Sequence, residues 1–167
     1  MRSARHAVAL PTVATALLVG ALAAPGRAAT REPTACTVLR RAAIESVLGD
    51  EVSRSKREQV TPRSATVCNW DVGARGSGEI VSVWLQRGKP AKKGYRTADH
   101  LFGDAGEQLP FLGRRAFYAA DVGTVYVLRG STLLYVQRLD PSGETAPEQL
   151  REQTISLVEH ALERIEP

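Results

Sequence analysis

Apolar residues recur along this chain with two different periods. In EIVSVWLQR, residues 79–87, Val81, Val83 and Leu85 fall on one side of an extended backbone. Ile80, Ser82 and Trp84 fall on the other, the period-two signature of a strand. VCNWDV, residues 67–72, predicts the strand that starts the sheet, and RRAFYAA, GTVYVLR and STLLYVQRL predict three more. Asp121-Val122-Gly123 and Arg129-Gly130-Ser131 supply the turns, the second of them a tight hairpin. The other period is helical. Leu39, Ala43, Ile44, Val47 and Leu48 share one face of a helix predicted over Cys36–Leu48, with Gly49 placed to end it. YRTADHLFG predicts a short middle helix after GKPAKKG breaks the strand pattern. At the C-terminal end, Leu150, Thr154, Leu157, Val158, Ala161, Leu162 and Ile165 form one stripe of a long helix. Thr145 and Glu148 resemble a capping box at its start, with Pro147 in the first turn. The polar run SRSKREQVTPRSA, residues 53–65, reads as an exposed loop or a weak strand. The pattern predicts an α+β fold: an antiparallel sheet of about five or six strands, with an N-terminal helix, a short middle helix and a long C-terminal helix packed on it.

The two faces of the C-terminal hairpin pose a question. Val125, Val127, Leu134 and Val136 alternate to one side; Tyr126, Leu128, Leu133 and Tyr135 alternate to the other. A sheet covered on one side only should be polar on its second face. Here both faces are apolar or aromatic. Either the protein's own helices cover both, or the face carrying Trp84, Tyr126, Leu128, Leu133 and Tyr135 is a surface for a ligand or partner.

The first 28 residues fall outside this pattern. Arg2 and Arg5 precede an apolar run from Val8 to Ala24, and Gly26-Arg27-Ala28 has a small-x-small cleavage pattern. Residues 1–28 read as a secretory signal peptide, with cleavage after Ala28 or, alternatively, after Ala24. The run is too short and interrupted for a spanning helix, so no transmembrane anchor is expected after cleavage. Residues 29–35 form a short polar lead and residues 36–167 a single domain. No cysteine directly follows the apolar run, so a lipid anchor is not expected; the expected location is the cell envelope or the extracellular space.

Export bears on the only two cysteines, Cys36 and Cys68. Outside the cytoplasm such a pair ends as a disulfide. Closing a loop of about 33 residues contributes roughly 3–4 kcal/mol in the chain-entropy model. No C-x-x-C redox motif is present, and His100 and His160 add no zinc-like spacing to the cysteines. A structural bridge, with Trp70 packed over it, is the favoured reading; no metal and no cofactor is expected. Export also changes the charge. The whole chain carries +4; without Arg2, Arg5 and Arg27 its 22 basic residues fall to 19, against 18 acidic ones. That balance gives no strong basic footprint, and no nucleic-acid partner is expected.

Cys36, a helix ending at Leu48-Gly49, Cys68-x-Trp70, and then LGRRAFYA before a strand-Gly-strand hairpin and a terminal helix form a layout. This layout resembles that of small exported domains of actinobacteria, many of them lipoproteins of unknown function. The resemblance spans most of the chain after residue 28 and departs from the pattern in lacking the lipidation cysteine. It implies an exported, non-enzymatic domain and brings no catalytic residues.

Residues in catalytic patterns are few. No G-x-S-x-G elbow exists, and Gly76-Ser77-Gly78 is a turn signal. Asp99-His100, with Asp104 nearby, is the best acid–base cluster, but no matched nucleophile accompanies it. Glu159 and Glu163 sit one helical turn apart among other charges, as on a solvated face. One basic run stands out: Arg87, Lys89, Lys92, Lys93 and Arg96, without an intervening acid. It reads either as a soluble loop or as a patch for anionic surfaces. No catalytic residue is assigned. The expected function is non-catalytic, namely binding or interaction in the envelope or outside it, with an envelope protein, a lipid or a small apolar molecule as partner. The alternatives are a small secreted hydrolase using the Asp99–His100 region, or a structural partner subunit.

Overall fold

The computed structural model describes residues 32–60, 64–73 and 78–165, with the side chains of residues 53–60 excepted. The reading of residues 1–28 as a signal peptide lies outside the described residues, as do residues 29–31 of the polar lead. Four helices and seven strands follow in the order α1 (Ala35–Val38), α2 (Arg41–Leu48), β1 (Val52–Val60), β2 (Ala65–Val72), β3 (Ile80–Arg87), α3 (Lys89–Phe102), β4 (Glu107–Gln108), β5 (Ala116–Ala119), β6 (Thr124–Arg129), β7 (Thr132–Leu139) and α4 (Pro147–Leu162). The sheet is antiparallel throughout, in the order β1-β2-β3-β7-β6-β5-β4. Six strands have four or more residues, and the two-residue β4 ends one edge. This is the α+β architecture that the hydrophobic periods predict.

The first face carries the main core. Trp70, Val72, Val81, Val83, Leu85, Val125, Val127, Leu134 and Val136 pack there with Leu157, Val158 and Ala161 of α4 and with Val38, Leu39 and Ile44 from the N-terminal helices. Nearly all are fully buried. Cys36 and Cys68 stand at disulfide distance, with sulfurs 1.98 Å and Cα atoms 5.1 Å apart, and no other cysteine exists. The pair holds α1 against β2, beside the buried Trp70. Arg138, 4% exposed, ties this face together. Its guanidinium donates to Glu79 at 2.7 Å, to Thr145 Oγ1 at 3.1 Å and to Gln153 Oε1, joining β7 to the residue before β3, to the following turn and to α4.

The second face is covered by α3. Ala91, Tyr95 and Ala98 pack on Phe117, Ala119, Leu128 and Leu133.

Several expectations need correction. GKPAKKG is not a break: α3 begins at Lys89 and runs 14 residues. Pro90 is tolerated there because first-turn amides have no helical partner to lose. Gly94, inside the helix, lets α3 approach the sheet. A Cβ at Gly94 would lie 2.8 Å from Gln86 Oε1 and 3.1 Å from Leu133 Cδ2. The predicted N-terminal helix is two pieces, parted at Leu39, whose backbone is extended at φ −116°, ψ 113°. The polar run after Val52 is a strand in register with β2, so its weak-strand reading holds. Thr145 does not cap α4. The cap position is Ala146, without a side-chain bond, and the Thr145 hydroxyl instead accepts from Arg138.

Candidate functional site

The second face carries a row of rings in register across four strands. Trp84 of β3 pairs with Tyr135 of β7, Tyr135 with Tyr126 of β6, and Tyr126 with Phe117 of β5. Successive ring centroids are 5.3, 5.3 and 5.1 Å apart. Trp84 and Tyr135 stack within 15° of parallel. Helix α3 adds two rings from above: Phe102 stacks on Tyr126 at 6.2 Å, and Tyr95 meets Phe117 edge-on at 5.9 Å. Six of the nine aromatic residues of the chain are in this cluster. Aromatic pairs at such spacings contribute about 0.5–1.5 kcal/mol each beyond their buried area.

Coverage is graded along the row. Phe117 is fully buried under α3, whereas Tyr126, Tyr135 and Trp84 are only half-buried. Beside α3 the uncovered part forms a groove of about 510 Å³. Its floor is Trp84, Tyr135, Tyr126 and Leu133. Its wall is one side of α3, from Pro90 and Lys93 through Gly94 and Thr97 to Leu101 and Phe102. Gln86 and Ala65 close the end at β3 and β2. Leu101 stands 64% exposed on the rim, which is a large exposure for a leucine beside an apolar floor. The size matches that of a small-molecule site, with mostly apolar walls and a few polar groups.

Burial pushes the Tyr126 phenol above its ordinary pKa, an effect opposed by its hydrogen bond to the Thr124 side chain. Burial, and then the neighbouring Tyr126, push Tyr135 further up. Both stay neutral at physiological pH. Lys93 is thus the one charged side chain among the described lining residues.

The residues singled out in the sequence separate here. Trp84, Tyr126 and Tyr135 meet in the groove. Leu128 and Leu133 share their face, but α3 covers them to 7% and 2% exposure; Leu128 is core, and Leu133 touches the groove only from its floor. The basic run does not stay together either. Lys89, Lys92, Lys93 and Arg96 are exposed on the first half of α3. Arg87 ends β3 and points to the other side of the sheet. It donates to the Pro33 carbonyl at 2.7 Å and lies 3.8 Å from Glu32. Its position at the end of a strand, separated from α3 by Gly88, gives it the parity of Val83 and Leu85. Asp99, His100 and Asp104 are exposed and do not line the groove. Among the described residues no group of three or more His, Cys, Asp or Glu side chains could hold a metal ion.

Family models, curated proteins and solved structures offer no match to this chain.

The groove's contribution from α3 was not evident from the strands alone. Ala91, Tyr95, Ala98 and Phe102 recur at helical spacing across the GKPAKKG boundary, a stripe that signals a helix laid on an aromatic surface.

Proposed function

We propose that this protein is an exported, non-catalytic binding domain whose ligand lies in the groove between α3 and the aromatic row. The observation that carries the reading is the half-open stack of Trp84 and Tyr135, 5.3 Å apart and nearly parallel, on the floor of a groove of about 510 Å³. Ordered rings supply large contact area at low entropy cost, because few rotatable bonds remain to be fixed on binding. The neutral phenols, Gln86 and the Thr97 hydroxyl add polar points that can fix a ligand's orientation. Export is supported by the Arg-flanked apolar run at residues 8–24 and by a cysteine pair at disulfide distance. No described helix is long and apolar enough to cross a membrane.

The test uses the neutral fluorophore N-phenyl-1-naphthylamine. Its emission should rise on binding wild-type protein. Thr97 is exposed on α3 and lines the groove, so Thr97→Trp fills the groove without disturbing the sheet. That variant should melt as wild type does and lose most of the emission. Equal emission from both proteins would refute the groove as the binding site.

A further inference from the structure

We propose that the groove takes an acidic amphiphile: a carboxylate or phosphate head against Lys93 beside Gln86, and an apolar tail running toward Leu101 and Phe102 over Trp84 and Tyr135. This rests on the reading of the groove as a binding site and adds the class of ligand.

Three observations support it. The groove is polarised along α3. Lys93 lies near the helix start and the exposed Leu101 near its end. Lys93 to Leu101 spans about 12 Å along the helix at 1.5 Å per residue. Second, the cationic end is not neutralised. Lys89, Lys92, Lys93 and Arg96 have no carboxylate partner among the described residues, and the first turn of α3 contains no acid. The positive end of the helix dipole adds to this field. Third, two other grooves formed by described residues are charged differently. The one beside Phe111 holds Glu159 and Glu163 with Arg129, and the one beside Asp140 holds Arg151 paired with Glu107. Only the α3 groove, of these three, has a cation and no carboxylate among its described lining residues. An ammonium at the end of an apolar trough favours a ligand with an anion at one end, since the same trough offers a neutral head no compensating charge.

The probes are decanoate, decyl phosphate and decanol, titrated calorimetrically below their aggregation limits at low salt. Both anions should bind at least tenfold more tightly than decanol, with the tighter of the two naming the head. In Lys93→Gln that preference should collapse toward equality while decanol binding stays unchanged. Lys92→Gln is the control: Lys92 is exposed next to Lys93 but does not line the groove. It should keep the preference within about twofold, because screening by water and salt weakens a charge outside the site. Lys93→Arg should restore most of it. Equal binding of decanol and the anions in wild type would overturn the acidic head and leave the groove reading standing. Equal losses in Lys92→Gln and Lys93→Gln would overturn it in favour of a diffuse anionic-surface patch. No binding by any probe, with Thr97→Trp indistinguishable from wild type, would bring down both.

Discussion

The two faces of one sheet are built from the same strands and finished in different ways. On the first face, α1, α2 and α4 cover a layer made mostly of Val and Leu, and residues such as Val81, Val83 and Val136 have no exposed surface. On the second face, among the described residues, α3 is the helix that lies over a row of rings, and the row emerges from beneath it half-covered. The difference lies in side-chain chemistry as much as in the number of helices. A half-covered valine exposes only apolar surface, whereas a half-covered tyrosine or tryptophan keeps a polar atom for water or ligand. The first face is closed core; the second leaves partly exposed rings, the feature on which the proposed binding role rests.

This contrast predicts unequal costs for similar changes. The largest effect belongs to the closed face: Leu134→Ala, at a site 1% exposed, should destabilise by about 2–5 kcal/mol in denaturant unfolding. Cys68→Ala should fall in the same range or slightly below it, about 2–5 kcal/mol, since the pair ties α1 to β2. Peptide mapping without reductant should recover the Cys36 and Cys68 peptides linked; two free thiols in protein secreted through an oxidising compartment would contradict the bridge. Trp84→Ala, on the open face, should cost only about 1–2 kcal/mol, the loss of one partly exposed stacked ring. A loss equal to that of Leu134→Ala would make the second face ordinary core and erase the contrast.

The smallest effect should appear outside both faces. Asp140 accepts from the Ser142 amide and hydroxyl and from the Gly143 and Thr145 amides. The Ser142 hydroxyl first, then the Thr145 side chain and amide, hold its carboxyl well below the usual range. A depressed folded pKa contributes stability above the unfolded value, near 4, that is lost as pH falls. Asp140→Asn should therefore cost about 1 kcal/mol at neutral pH. The gap between variant and wild type should narrow as pH drops below about 4. A gap that widened in acid would contradict the sign.

Much of the fold was legible because two faces of the sheet and the stripe of α4 are written in simple periods. Val81, Val83 and Leu85 alternate without interruption, and the single cysteine pair left one intramolecular partner for each thiol. The site was legible only in part. Alternation placed Trp84, Tyr126 and Tyr135 on one face, but strand register brought them into one row, and register depends on the β3–β7 pairing across 44 intervening residues, from Gly88 to Ser131. The start of α3 was obscured because proline and two glycines carry the local signature of a loop, while tertiary packing of Ala91 and Tyr95 on the sheet decides for helix. That packing is also what covers Leu128 and Leu133. Polar β1 lacks a hydrophobic period, and its pairing with β2 defines it instead.

The central claim is that the second face is a ligand groove, and a titration followed by nuclear magnetic resonance tests it most directly. Decanoate should move the Trp84 indole and the Tyr126 and Tyr135 rings, together with the methyls of Thr97 and Leu101, in a saturable way. The methyls of Leu157 and Val158 on the opposite face should stay fixed. Saturable shifts centred instead on Phe111 and Glu163 or on Asp140 and Arg151, or no saturable shifts at all, would contradict it.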